Sequence, residues 1–341
     1  MRSRLRVELV YGFRHGPGMY RSARARMARM WGSEALRLQL RQAMLPHLPQ
    51  GIELAVSGLS FGNPRVRQWY FRAWLATRRP AVFILLKHAG YRMTDAELAR
   101  LRRKALAVGI DHNDANPAEL DLARFDFHLS ASALGRNALE AQLDTDADTG
   151  TAGRARPLVD VWHQTHDSRL EGLAHADPGR LAAVYVGHPG NAAIPPALAP
   201  EVTVLPVQRN AEMAQAVQAM GRYNFHYAVR PSPPPDPQRP CKPFTKGFNA
   251  AACGANLLVN AQVDDALEFL PPDYPYLIPG NAPADVEAGF ARAREEYGGP
   301  EWRRGLEIMR AVHARVSAPS QARDFARIVT RLAEAGQVAA R

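Results

Sequence analysis

KPFTKGFNAAACGANLLVN, residues 242–260, enters through charged and proline positions, continues in small and apolar residues, stops at Gly254 and resumes as an apolar run. The spacing predicts a helix over 245–254 closed by the glycine, then a buried strand. A helix feeding directly into a buried strand is half of a βαβ unit, and the sequence on either side supplies the rest. LAAVYVG (181–187), VTVLPV (202–207) and FHYAVR (225–230) read as strands, with the helix NAEMAQAVQAM between the second and third. PSPPPDPQRP (231–240) cannot be regular structure, because proline removes the amide donor and fixes φ. VDDALEFL reads as a short helix and YPYLI as a last strand-like piece. From 284 onward the pattern is helical, broken near Gly298 and Pro300 and again at Pro319.

The first half alternates in the same way. LRVELVYGF (5–13), IELAVS (52–57), PAVFILLK (80–87), LAVGID (106–111) and FDFHLSAS (125–132) read as strands. Between them lie a Gly-rich turn, a long basic amphipathic helix over about 19–46, a helix over 64–78, and a helix opened by Thr94 with Glu97 three residues on, a capping box. The small, polar, acidic stretch 141–156 (AQLDTDADTGTAGRAR) reads as a loop. Strand–helix alternation of this kind predicts an α/β protein with two doubly wound Rossmann-like domains facing a cleft. The expected divisions are 1–165, 166–318, and a C-terminal helix over 319–341 that packs back on the first domain.

Composition narrows the function classes. The chain has 341 residues, 46% of them hydrophobic, which excludes a wholly disordered protein. Its formal charge is +10, with the basic excess toward the N-terminus. Such a surface attracts phosphates, anionic lipid or nucleic acid. No zinc finger, RNP-like aromatic motif or helix-turn-helix pattern accompanies it, so nucleic acid is not an expected partner. Two cysteines, Cys241 and Cys253, make neither a disulfide framework nor a C-x-x-C zinc pair and fit a reducing compartment. No apolar run reaches membrane-spanning length, and the N-terminus passes directly into a strand pattern. The expectation is a soluble, cytoplasmic protein with peripheral contact at the inner membrane face, where the basic helix 19–46 could meet anionic lipid or a lipid-linked acceptor.

Three segments of the second half, VYVGHPGN (184–191), FHYAVRP (225–231) and above all 242–260, resemble the C-terminal domain of GT-B type glycosyltransferases of the family 1 and family 4 kind. In the first half, VGIDHNDANP (108–117) is similar to the strand and turn that face the cleft in those enzymes, and HQTHDSRL (163–170) adds to the likeness. The resemblance implies a hexosyltransferase-like enzyme that moves a sugar from a nucleotide-diphosphate donor to a hydroxyl acceptor: a glycan, a lipid-linked molecule or a small molecule. It implies no resident cofactor and no obligatory metal. Retaining members of the family carry two glutamates seven residues apart around this helix. Here Lys242 and Asn249 stand near those positions, and no glutamate lies between Glu212 and Glu268. That departure leaves the stereochemical course open and makes a non-catalytic GT-B-like protein one alternative.

The residues support a phosphate site on their own. A helix N-terminus offers unpaired N–H groups and a positive dipole to an anion. Lys242 and Lys246 straddle the start of the 245–254 helix, Thr245 brings a hydroxyl, and Arg230 ends a strand directed at the same region. Gly187 and Gly190, flanking His188 and Pro189, let backbone amides approach a ligand. In the first half, Gly12, Gly16 and Gly18 form a close-approach loop with Arg14 and His15, and His112 and Asp114 follow the fourth strand. His15 and His112, with Asp114, are the expected base or positioning groups for an acceptor hydroxyl.

Other motifs compete. Gly58-Leu59-Ser60-Phe61-Gly62 fits G-x-S-x-G, and with His15-Gly16-Pro17-Gly18 as an oxyanion loop it gives the alternative of an α/β-hydrolase using Ser60. Only one strand precedes Ser60, where that fold places several. Asp144, Asp146 and Asp148 invite a calcium reading, but Thr149 and Ala155 occupy the positions where an EF-hand needs Gly and Glu. His163 and His166 lie three apart without further ligands and make no metal site.

Overall fold

The computed structural model describes residues 4–13, 32–62, 64–114, 116–148, 156–173, 178–208, 210–231 and 240–334. Two compact units divide the chain. The first comprises Met1–His163, Pro237–Lys242 and Gln321–Arg341, and the second Gln164–Asp236 and Pro243–Ser320.

The first unit holds a parallel sheet of six strands: β1 (Leu5–Phe13), β2 (Ile52–Ser60), β3 (Val82–Leu86), β4 (Ala107–Asp111), β5 (Phe127–Ser130) and β6 (Leu158–Val161), in the order β2-β1-β3-β4-β5-β6. All five residues of β3 and of β4 are buried, which is why they read as unbroken apolar runs: helices cover both faces. One face packs Val7, Leu9, Ile84 and Phe127 against the last helix, Ala318–Glu334. That helix buries Ala322, Phe325, Ile328, Val329 and Leu332 at helical spacing. Phe325, Ile328 and Leu332 contribute about 2 kcal/mol each from area burial. Arg327 and Arg331 fasten the helix to the buried Asp160 at 3.1 and 2.5 Å. The opposite face packs Val10, Phe83, Leu85 and Ile110 against Phe71 and Leu98.

The second unit holds five parallel strands: β7 (Ala183–Gly187), β8 (Val202–Pro206), β9 (Phe225–Tyr227), β10 (Asn256–Asn260) and β11 (Leu277–Ile278), in the order β11-β10-β9-β7-β8. The helix Thr245–Ala252 ends beside Gly254, at φ +61, and leads into β10 as expected. Phe244, Phe248 and Phe269 stack at its base.

Two expectations change, and a third is described only in part. Residues 141–148 are not loop but the last two turns of the helix Ala133–Asp148. Leu139 and Leu143, one turn apart, bury its inner face and carry the helix past them, and Asp144 accepts from Arg156 at 2.7 Å on the outer side. The second strand runs on to Ser60, because all nine of its residues pair with β1. The basic helix is described only as Ser33–Met44; residues 14–31 lie outside the described residues, and with them Arg14, His15, Gly16 and Gly18. Among the described residues no helix is long and apolar enough to cross a membrane.

In each sheet the order reverses once. Chain order departs to opposite sides between β1 and β3 in the first unit, and between β7 and β9 in the second. Open parallel sheets bind ligands beyond the carboxyl ends of their strands at such a switch point, because the departing loops leave a crevice there.

Candidate active site

At the switch point of the second unit, β7 ends in Gly187 and β9 leads through Ala228 and Val229 to Arg230. Lys246, in the first turn of the helix Thr245–Ala252, reaches back between them. Its ammonium donates to the Val186 carbonyl and lies 4.3 Å from the centre of the Tyr185 ring. Gly187 has φ +139, and a Cβ there would come 2.9 Å from Lys246 Nζ, so only glycine suits the position. Tyr185 donates to the His188 carbonyl at 2.8 Å, and His188 Nδ1 accepts the Gly190 N–H at 3.2 Å, which shapes the loop after β7. The Arg230 backbone is fixed by Asn260, while its Nε is buried without a hydrogen-bond partner.

Burial and then the charge of Arg230 bring the Lys246 ammonium down to about 7. Arg230 is itself lowered by burial, which nearby Tyr185 and Asp264 only partly offset. Two desolvated cations therefore act on one another beside a helix start where the Thr245 N–H is taken by the Pro243 carbonyl at 2.7 Å and the Lys246 and Gly247 N–H groups lack intrahelical acceptors. Such an arrangement favours an anion. Thr245 sits at that helix start, its hydroxyl 3.5 Å from the Pro243 carbonyl. Lys242 groups instead with Asp114 of the first unit, at 3.6 Å.

At the switch point of the first unit, β3 ends in Leu86 and is followed by Lys87 and His88. His88 exposes 54% of its side chain, and its ring Nδ1 lies 3.1 Å from Glu34 Oε2, whose side chain is 9% exposed. The other oxygen of Glu34 accepts the His88 backbone N–H at 3.0 Å. A carboxylate only accepts, so Nδ1 carries the proton and the neutral ring keeps the lone pair of Nε2 for an outside group. Gly12 of β1 makes room for this: a Cβ there would lie 3.3 Å from His88 Cβ and 3.2 Å from the Ala89 nitrogen. Alongside, Asp114 accepts from Lys87 at 2.8 Å and from Ser33 at 2.7 Å. Burial alone would raise the Asp114 carboxyl; Lys87, Ser33 and Lys242 outweigh it and hold the group below the usual range.

Asp111 closes β4 and pairs at 2.6 Å with Arg37, both side chains having no exposure. Arg37 also donates to the Trp162 and His163 carbonyls at 2.6 and 2.8 Å and stacks 3.9 Å over the Trp162 ring.

His112, the next residue, is buried with both ring nitrogens engaged. His128 Nε2 donates to the Leu122 carbonyl at 3.0 Å, so its Nδ1 accepts from His112 Nε2 at 2.9 Å. His112 Nδ1 then accepts from the Tyr91 hydroxyl at 3.1 Å, whose single proton is shared with the Asn116 carbonyl at 2.7 Å. Four contacts are served by three protons. His112 is thus placed to tie the end of β4 to Tyr91 and His128 and not to abstract a proton.

Burial lowers His128 to about 4 and His112 well below its ordinary value, helped there by His128. As pH falls below about 6.5, the unfolded chain takes up protons that the folded pair refuses. Stability therefore drops between about 6.5 and 4, by roughly 3 kcal/mol for His128 alone. Thermal melts at stepped pH should show this slope, and His128→Gln should flatten it; equal slopes in both proteins would remove the pair as its source.

Ser60 lies at the end of the edge strand β2, and its Oγ accepts the Gly62 N–H at 3.4 Å. An edge position closed on its own turn is not the central nucleophile elbow of a hydrolase. His166 pairs with Glu171 at 3.1 Å and its ring packs on His313 at 4.9 Å. Among the described residues no group of three or more His, Cys, Asp or Glu is placed to hold a metal ion.

The sequence reading named Lys246, Arg230 and Gly187, which the structure brings together. It missed His88 and Glu34, which share no motif and lie 54 positions apart. The one local signal was a Lys-His pair at the end of the most apolar strand.

No protein-family model matches the chain, and no curated protein matches it in sequence. Solved structures do. HepE from Anabaena in complex with UDP aligns over 96% of this chain and 100% of its own at 13% identity, with a TM-score of 0.55. The lipopolysaccharide outer core galactosyltransferase WaaB aligns over 96% and 99% at 10% identity, TM-score 0.57. Sucrose-phosphate synthase from Thermosynechococcus elongatus aligns over 97% and 100% at 12% identity, TM-score 0.56. At these identities the likeness concerns architecture, and it matches the sheet orders described above: the chain has the GT-B fold, the two-unit α/β architecture of these glycosyltransferases.

Proposed function

We propose that the protein is a glycosyltransferase that moves a sugar from a nucleoside diphosphate donor to a hydroxyl acceptor. The second unit takes the donor and the first the acceptor. The observation that carries this reading is the pair of desolvated cations, Lys246 and Arg230, at the switch point of the second sheet. As the bond from the anomeric carbon to the diphosphate oxygen breaks, charge develops on that oxygen. Lys246, Arg230 and the first-turn N–H groups of Lys246 and Gly247 stabilise it, with Gly187 and Gly190 letting the backbone come close. Two protein cations supply this charge without an obligatory metal or other cofactor.

On the acceptor side, His88 Nε2 takes the hydroxyl proton while the acceptor oxygen bonds to the anomeric carbon. Glu34 holds the imidazole and stabilises the imidazolium that forms. Direct displacement of this kind inverts the anomeric centre, in keeping with a donor helix that lacks the glutamate pair. Asp114, Lys87 and Lys242 position the acceptor, and His112 secures their turn from behind.

UDP is the first probe, because HepE binds it. Calorimetry and thermal shift with UDP, GDP, TDP, ADP and CMP should give a rise with one of them, about 2.7 kcal/mol at a hundredfold excess over Kd. EDTA should leave the affinity unchanged. Lys246→Ala should weaken binding about 10- to 100-fold without loss of fold. Affinity in the parent should fall as pH rises past about 7, where free Lys246 loses its proton. No binding by any nucleotide would sink the reading.

A further inference from the structure

The helix Pro64–Ala76 has an inner face fixed to the core by the fully buried Phe71 and by Trp74, whose ring lies 6.1 Å from that of Phe83. Its outer face carries Val66, Trp69, Ala73 and Ala76, all exposed, at intervals of three, four and three. That spacing is a single apolar stripe along a helix. Trp69 is 66% exposed, more than any other large hydrophobic side chain among the described residues.

The charge around the stripe has one sign. Arg72 and Arg79 are exposed beside it and enter none of the ion pairs of the described residues. Arg67 and Arg78 turn inward, to Glu97 at 2.6 Å and Glu8 at 2.9 Å. Lys104 reaches the end of the helix, donating to the Leu75 carbonyl at 2.9 Å. The sequence holds no acid between Glu53 and Asp95, and seven Lys or Arg within that stretch.

We infer that this face docks on an anionic lipid bilayer. A tryptophan is at home at headgroup level, where its ring is half in hydrocarbon and its N–H is wet. Arginines on either side meet lipid phosphates, and the helix lies in the interface plane with its stripe turned to the acyl chains. A second copy of the chain is the weaker occupant, because it would bring the same positive face against this one. The inference is independent of the transfer chemistry.

The test is co-sedimentation of the full chain with phosphatidylcholine vesicles, with and without phosphatidylglycerol. Binding is expected only to the anionic vesicles and should be lost in high salt. Arg72→Glu with Arg79→Glu should lower partitioning more than about a hundredfold, since each charge near the surface counts for about fivefold, each reversal counts twice, and the factors multiply. Trp69→Ala should lower it several-fold with an unchanged melting temperature, the residue being exposed. Failure to bind anionic vesicles would overturn the inference. So would binding that both variants retain, which would place the contact elsewhere in the chain. Self-association of the parent that Trp69→Ala abolishes, without vesicle binding, would make a second copy the occupant and overturn it as well.

Discussion

Arg37→Met should destabilise the first unit by about 3–5 kcal/mol, the cost of leaving one partner of a buried ion pair uncompensated. Asp111 has no exposure, and burial already pushes its carboxyl upward against the pull of Arg37. Without the guanidinium it must protonate or stand as a lone buried charge. The carbonyls of Trp162 and His163 lose their donors in the same substitution, and the Trp162 ring loses the plane stacked on it. Arg37→Met combined with Asp111→Leu should recover a large share of the loss, because the charge is gone from both sides, but not all of it, since the guanidinium bonds to the two carbonyls are not restored. Native-state hydrogen exchange of the β4 amides reads this locally, without treating a two-unit chain as one cooperative transition. If the double substitution proved no more stable than Arg37→Met alone, the carbonyl contacts and not the ion pair would dominate.

That pair also shows where the sequence stopped being readable. The strands were legible because a parallel sheet covered on both faces leaves unbroken apolar runs such as VFILL at 82–86. The helix Thr245–Ala252 was legible because Gly254 closes it and an apolar strand follows at once. Residues 141–148 were not, since Asp144, Thr145, Asp146 and Asp148 carry little helical preference and mask the Ala residues among them; what extends the helix is Leu139 and Leu143 anchoring it, a tertiary cause. In the second unit, Lys246 and Arg230 were legible as candidates because one opens a helix and the other follows a strand, both local signals. The cluster of the first unit depends on partners far apart. Arg37 meets Asp111 across 74 positions, and Glu34 meets His88 across 54, and no spacing rule connects them. His112 drew attention as a polar residue after a strand, yet its neighbour in space, His128, lies on the next strand and takes it out of solvent. Polar residues at strand ends mark a site; only the fold decides which of them faces outward.

His88→Ala should lower turnover by about 10²–10⁴-fold, the range for removing a positioned general base, while leaving nucleotide affinity near that of the parent. The separation follows from geometry. His88 stands at the switch between β1 and β3 of one sheet, and Lys246 at the switch between β7 and β9 of the other, so the two act on different bonds. Glu34→Gln tests the dyad itself. An amide can still accept from Nδ1 and keep the ring in place, but it no longer balances the imidazolium that forms as the proton arrives. Turnover should fall, but less than in His88→Ala, where the base itself is gone. With a donor whose base has been fixed by the binding panel, the sugar released or transferred should carry the inverted anomeric configuration, read directly by NMR. Retention of configuration would remove single displacement and with it the role of His88. Full activity in His88→Ala with inverted product would leave the donor site standing and assign the proton to another group at the carboxyl ends of the first sheet.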